Sequence, residues 1–362
     1  MAVDIKNLLK LMVQKDISDI HFKADSFPAF RLHGAMVMAA NLQKTAPLDI
    51  QSMADQLMSE EQKRSFAAEQ ELDLAYSLDG VSRFRVNVCM QRGSLSLTLR
   101  VIPMKLRSFE ELGLPAEALK KLAQESRGLV LFAGITGAGK TTTMNSFLNY
   151  LNETCPYRVI TIEDPIEYYH SDNKCSIVQR EVGRDTKSFS SALKHVLRQD
   201  PDVVVIGEMR DLETMQAALN AAETGHLVLS TVHTLDAVQT MSRIVDTYPS
   251  HQHEQVRQQL ANTLKGIVAQ RLVLAKDGKT RYPATEILIC SHMVRGQILE
   301  GKSADIYKVM AGGSYYGMHS FDQDLIRLFR EGMIDEKSVL ENSTTPQDVA
   351  LRLQGLSAGV EG

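Results

Sequence analysis

Gly134-Ile135-Thr136-Gly137-Ala138-Gly139-Lys140-Thr141 decides the fold. The octapeptide satisfies Gly, any four residues, Gly-Lys-Ser/Thr, and the flanking sequence supplies the context that pattern needs: an apolar strand expected over Gly128 to Ala133 and a helix expected over Lys140 to Leu151. Gly134, Gly137 and Gly139 let backbone amides and the helix N-terminus close around a phosphate. Lys140 is placed to reach the β- and γ-phosphates and the Thr141 hydroxyl to ligate magnesium. Thr136, Ala138 and Thr142 complete the expected phosphate-binding set.

Working outward, strands and helices alternate as in an open parallel sheet. Further strands are expected over Arg158 to Ile162, Val203 to Ile206 and Leu227 to Val232. The first of these runs into Glu163-Asp164-Pro165-Ile166-Glu167, where Pro165 turns the chain out of the sheet. Carboxylates beside a phosphate repel it unless they hold a metal or activate water. The second closes on Gly207-Glu208, an apolar strand ending in an acid, and Glu208 is the second candidate magnesium ligand. Asp211 begins a helix. His226 and His233 bracket the third strand with opposite parity, so a regular strand sends them to opposite faces. His233, at the carboxyl end, is the better candidate for a γ-phosphate sensor.

Upstream, residues 1–103 read as a small α+β domain opened by a helix with Ile5, Leu8, Leu9, Met12 and Val13 at helical spacing. Strands are expected around Asp19 to Phe22 and Phe30 to Val37. Arg83 to Met90 and Ser94 to Val101 alternate apolar with polar residues, and that parity exposes Arg85 and Arg100. The polar, proline-bearing stretch 104–115 is assigned as a linker and 116–362 as the nucleotide-binding domain. Its last third is expected to be helical, with one stripe of Val256, Leu260, Leu264, Ile267 and Val268 and another of Phe321, Leu325, Ile326, Leu328 and Phe329.

The 362 residues favour two domains. With 40 Lys and Arg against 44 Asp and Glu, the net charge of -4 gives no general attraction to nucleic acid, which disfavours a DNA translocase. No signal peptide is visible, and no apolar run reaches the ~18 residues of a membrane span. The four scattered cysteines lack a Cys-x-x-Cys clip and read as reduced structural thiols. The residues argue against guanine specificity, because Asn173-Lys174-Cys175-Ser176 lacks the acid of Asn-Lys-x-Asp.

In order, Gly134 to Thr141, Thr161 to Glu167, Gly207-Glu208-Met209-Arg210-Asp211, and Glu223-Thr224-Gly225-His226 through Val232-His233-Thr234 resemble the Walker A, Asp-box, Walker B and His-box signatures of secretion and pilus ATPases. Arg83-Phe84-Arg85-Val86-Asn87, Gln91-Arg92-Gly93 and Ser108-Phe109-Glu110-Glu111-Leu112-Gly113-Leu114-Pro115 further resemble the type IV pilus retraction branch (PilT/PilU). The resemblance implies an α/β chain with a PAS-like N-terminal domain, a RecA-like P-loop domain and a helical C-terminal region. It implies ATP and Mg2+ bound between subunits of a homohexamer, Glu167 as the base that orients water, Glu208 serving the metal, and Glu163 and His226 among the nucleotide-binding residues. Arg85 and Arg100 would be arginine fingers given to a neighbour's γ-phosphate. An inner-membrane pilus platform protein would be the partner, with a cytoplasmic location at the pilus base. The retraction-linked Ala-Ile-Arg-Asn-Leu-Ile helix of that branch appears here as His292-Met293-Val294-Arg295-Gly296-Gln297-Ile298. Two roles stay open: principal motor, or accessory ring working with a paralogous retraction ATPase.

Overall fold

The computed structural model describes residues 4–32, 35–102 and 106–354. The chain divides into two compact units, Met1–Lys105 and Leu106–Gly362.

The first unit is built from α1 (Ile5–Gln14), β1 (Ile17–Lys23), β2 (Ala29–Leu32), β3 (Ala35–Met38), α2 (Pro47–Leu57), α3 (Glu60–Glu69), β4 (Glu71–Leu78), β5 (Ser82–Gln91) and β6 (Ser94–Ile102). The strands form one antiparallel sheet in the order β3-β2-β1-β6-β5-β4. Alternation does its work here: Phe84, Val86 and Val88 of β5 and Leu95, Leu97 and Leu99 of β6 turn to one face, where they bury against Ile5, Leu9 and Met12 of α1. Phe30 to Val37, expected as one strand, is instead two antiparallel strands with Leu32 opposite Ala35; the intervening residues 33 and 34 lie outside the described residues.

The second unit holds α4 (Ala116–Leu122), β7 (Gly128–Ala133), α5 (Lys140–Thr154), β8 (Arg158–Glu163), β9 (Ser176–Glu181), α6 (Phe189–Val196), β10 (Val203–Ile206), α7 (Leu212–Glu223), β11 (Leu227–Val232), α8 (Ala237–Asp246), α9 (His253–Thr263), β12 (Leu264–Leu274), β13 (Arg281–Ile289), α10 (His292–Glu300), α11 (Ser303–Ala311), α12 (Phe321–Arg330), α13 (Glu336–Asn342) and α14 (Pro346–Leu353). The sheet order is β13-β12-β7-β11-β10-β8-β9, parallel except for the antiparallel edge strand β13. A parallel sheet is covered on both faces, so its strands are apolar throughout. Leu129, Leu131 and Ala133 of β7 join the core under α7 and α8, while Val130 and Phe132 pack with Phe147, Leu148 and Leu151 of α5.

Two expectations change. Leu264, Ile267 and Val268 do not continue the helix of Val256 and Leu260: α9 stops at Thr263 and β12 pairs with β7. A run buried on both faces satisfies helical and strand spacing alike, and only the open hydrogen-bonding edge of β7 decides between them. The stretch 104–115 is not a free linker from residue 106 onward. Phe109 and Leu114 are buried, with the Phe109 ring tilted against Phe147 at 6.2 Å and Tyr150 at 5.6 Å between centroids, and the Ser146 hydroxyl donates to the Arg107 carbonyl at 2.8 Å. Residues 103–105 lie outside the described residues.

All four cysteines are free thiols, the Cys175 Sγ donating to the Cys155 carbonyl at 3.1 Å. Among the described residues no helix is long and apolar enough to cross a membrane.

Candidate active site

Register places the site. Val232 pairs with Ala133, Ile206 with Ser230 and Ile206 with Ile162, so β7, β11, β10 and β8 end at one height. The loops that follow them carry Gly134 to Gly139, His233, Glu208 and Glu167 respectively, on the edge where open α/β sheets bind ligands.

The loop itself is held from behind by Gln270 of β12, buried at 4% exposure. Its Nε2 donates to the Ala138 carbonyl at 2.8 Å and its Oε1 accepts from the Thr143 hydroxyl at 2.6 Å. This packing explains two glycines. A Cβ on Gly134, at φ 153°, would lie 2.7 Å from the Gln270 carbonyl oxygen; one on Gly139, at φ 87°, would lie 2.6 Å from Gln270 Nε2. The cradle therefore stays lined by backbone, with Ile135, Thr136 and Gly137 facing solvent. Lys140 opens α5 and is buried, its Nζ donating to the Ile135 carbonyl at 2.9 Å. Burial lowers its pKa, against the fields of Glu208 and Glu167, which raise it. Thr141 lies half-buried beside it.

The acids separate into distinct environments. Glu163, at the end of β8, is buried, and burial raises its pKa; its Oε1 accepts from the Thr161 hydroxyl at 2.6 Å and from Gln179 Nε2 at 3.2 Å. Asp164 and Glu167 are exposed. The next residue, Tyr168, ties the Glu167 loop to the start of α5 through a 2.9 Å contact with the Thr142 hydroxyl. Glu208 Oε2 takes an ion pair from Arg210 Nε at 2.7 Å and stands 3.4 Å from His233 Nε2. Burial and the Lys140 cation lower the His233 pKa, opposed by Glu208.

The structure thus gathers Lys140, Thr141, Glu167, Glu208 and His233. His226 is not brought there. It stands at the opposite end of the six-residue β11, about 20 Å along the strand, with Nδ1 3.0 Å from the Ala221 carbonyl and 3.2 Å from the Thr224 hydroxyl. Arg85 and Arg100 belong to the first unit and are direct cross-strand neighbours. Arg100 is exposed as parity requires, yet its Nε pairs at 2.6 Å with buried Asp19 of β1. Arg85 is half-buried rather than open, flanked by Ala75 of β4 and Arg100 of β6.

Sequence reasoning missed Gln270, Gln179, Tyr168 and Asp19. A glutamine interrupting the apolar run Ile267-Val268-Ala269 was the available signal for the first, because a buried amide requires partners.

The fold and loop together define a P-loop nucleotide-binding protein, with the phosphate cradle at the carboxyl edge of a parallel sheet. The chain belongs to the type II/IV secretion system protein family, whose profile matches residues 1–311. It is 39% identical over 346 residues to the type IV pilus retraction ATPase PilT of Pseudomonas aeruginosa, covering 96% of this chain and 100% of that protein. To the type IV pilus ATPase PilU of the same organism it is 40% identical, covering 97% of this chain and 92% of the relative. A solved structure of the pilus retraction motor PilT with bound ADP superposes with a TM-score of 0.89 at 41% identity, covering 96% and 98% of the two chains.

Proposed function

We propose that this chain is an ATPase whose hydrolysis powers type IV pilus retraction as a homohexameric ring. The observation that carries it is the convergence of Lys140, Glu167, Glu208 and His233 on one glycine-lined loop, in a chain that matches a retraction ATPase over 96% of its length. Phosphoryl transfer asks little covalent chemistry of a protein, so positioning and charge dominate. Lys140 neutralises the terminal phosphates. Glu167, exposed at the loop's mouth, orients the attacking water, and His233 reports on the γ-phosphate through Glu208. Thr141 and Glu208 would hold magnesium, which would supply positive charge to the phosphates. The donors fit: a hydroxyl and a carboxylate suit magnesium, which prefers one or two protein oxygens with water and phosphate completing its shell.

Arg85 and Arg100 supply positive charge to a neighbouring subunit's nucleotide, so that the interface closes on ATP and relaxes after hydrolysis. An inner-membrane platform protein receives the resulting rotation at the pilus base. A second role, as an accessory ring, draws on the equal likeness to PilU and on helix α10, where Gly296 replaces a better helix former. Deleting the gene, alone and in cells lacking other retraction ATPases, and scoring pilus length and twitching tests both. Long, non-retracting pili in the single deletion support the principal motor; a defect only in the combined deletion supports the accessory role. Normal retraction in both refutes the proposal.

A further inference from the structure

Glu286 of β13 is a carboxylate buried at 1% exposure that neither the phosphate cradle nor the core requires. Its Oε1 accepts the backbone N–H of Ala237 at 2.9 Å, and the backbone of Phe321 also hydrogen-bonds to it. Ala237 is the first residue of α8 and Phe321 the first of α12. One carboxylate therefore takes the leading amides of two helices, whose positive dipole ends converge on it. The chain entering α8 is the segment that leaves the active site: β11 ends at Val232, His233 reaches Glu208, and four residues later Ala237 is fastened to Glu286. Between them Thr234 is fixed by a 2.7 Å hydroxyl contact with Thr240, and Asp236 caps α8 by accepting from Gln239 N at 2.7 Å.

We propose that Glu286 is a positioning residue for His233: it pins the His233–Ala237 segment to β13 and to the start of α12, linking the nucleotide end of the sheet to the C-terminal helices. This rests on His233 acting in turnover as described above. The geometry needs an acceptor with two oxygens in a site that excludes water, and a carboxylate holds amides more tightly than a neutral group does. The charged and titratable groups facing it are Asp236 from α8, Arg271 from β12 and Tyr307 from α11, with Asp322 and Asp324 on α12 beyond Phe321. Burial pushes its pKa up to about 7, so its charge changes in the physiological range. Ionised, it grips both amides; protonated, it grips them less.

The test uses the full chain carrying Glu286→Gln, Glu286→Ala, His233→Ala and His233→Ala/Glu286→Ala. Hydrogen exchange by mass spectrometry reads the pin without reference to activity. Peptides spanning residues 233–240 should exchange at least ~10-fold faster in Glu286→Ala while those of α5 stay unchanged; unchanged exchange in 233–240 overturns the proposal. Turnover reads the link to His233. Glu286→Ala should lower kcat ~10-fold with KM within about twofold, and should add less than about twofold in the His233→Ala background; equal losses in both backgrounds overturn it. Should Glu286→Ala not fold, Glu286→Gln decides alone. The kcat of the unaltered chain should show an inflection near pH 7 that Glu286→Gln lacks; its absence from the unaltered chain, or its retention in Glu286→Gln, is refuting. Faster exchange in 233–240 with full turnover in His233→Ala would leave the pin standing and remove His233 from the hydrolytic reading instead.

Discussion

Replacing Gln270 by Met is the sharpest perturbation of the phosphate cradle that touches no nucleotide-facing atom. Methionine fills nearly the same volume, so little is lost to a cavity. Two hydrogen bonds vanish, leaving the Ala138 carbonyl and the buried Thr143 hydroxyl unsatisfied. An orphaned buried polar group costs ~1–3 kcal/mol. Thr143 can recover part of this by turning its hydroxyl to the preceding helical turn, so a total of ~2–4 kcal/mol is expected. Because the chain has two units, a single unfolding free energy is poorly defined. The loss is better read as nucleotide affinity: a loop no longer held in its cradle shape must be reordered on binding, and half of that cost weakens binding by ~5- to 30-fold. Fluorescent ADP titration and a thermal melt of the full chain supply the assay. Gln270→Glu keeps the acceptor for Thr143 but faces the Ala138 carbonyl with a carboxylate oxygen, and should bind no better than Gln270→Met. ADP affinity within twofold of the unaltered chain in Gln270→Met, with a melting shift below about 1 °C, refutes the reasoning.

Glu167→Gln should leave nucleotide binding nearly intact and slow hydrolysis by roughly 10²-fold; undiminished phosphate release removes Glu167 from the water-orienting role. Arg85→Ala should lower turnover of the assembled protein and be rescued in mixed assemblies with a subunit that is catalytically dead but retains Arg85; absence of complementation counts against donation to a neighbour. Asp19→Asn should free the Arg100 guanidinium from its 2.6 Å partner and lower the melting temperature by a few degrees, the ion pair being half-exposed and worth at most ~1 kcal/mol of direct attraction; an unchanged melt shows that the pair is dispensable to the fold. Burial holds the His170 pKa down to about 4, with Nε2 2.7 Å from Asn145 Oδ1. The unfolded chain then binds more protons between pH 6.5 and 4, so this contribution is full above pH 6.5 and is lost as pH falls, by ~2 kcal/mol at pH 5. His170→Gln should flatten the difference in melting temperature between pH 7 and pH 5, and an undiminished difference places the acid sensitivity elsewhere.

The sequence alone determined the elements whose identity is local. Gly134 to Thr141 declares a strand, a loop and a helix because backbone wrapped on phosphate admits few residue types, and β7, β10 and β11 fall on the residues expected of them because runs such as Val203 to Ile206 suit a strand buried on both faces. Parity along Phe84, Val86 and Val88 was likewise legible, since alternation is a property of the strand itself. What only the tertiary structure decided depends on partners distant in the chain. Leu264 to Leu274 is a strand because β7 offers it an unsatisfied edge; Phe109 is core because α5 lies over it; Gln270 and Glu286 matter because folding carries their side chains to amides and carbonyls 35 to 132 positions away. Periodicity reports which face of an element is apolar; it carries no information about which buried polar atom will meet which, and that pairing is settled only when the sheet closes.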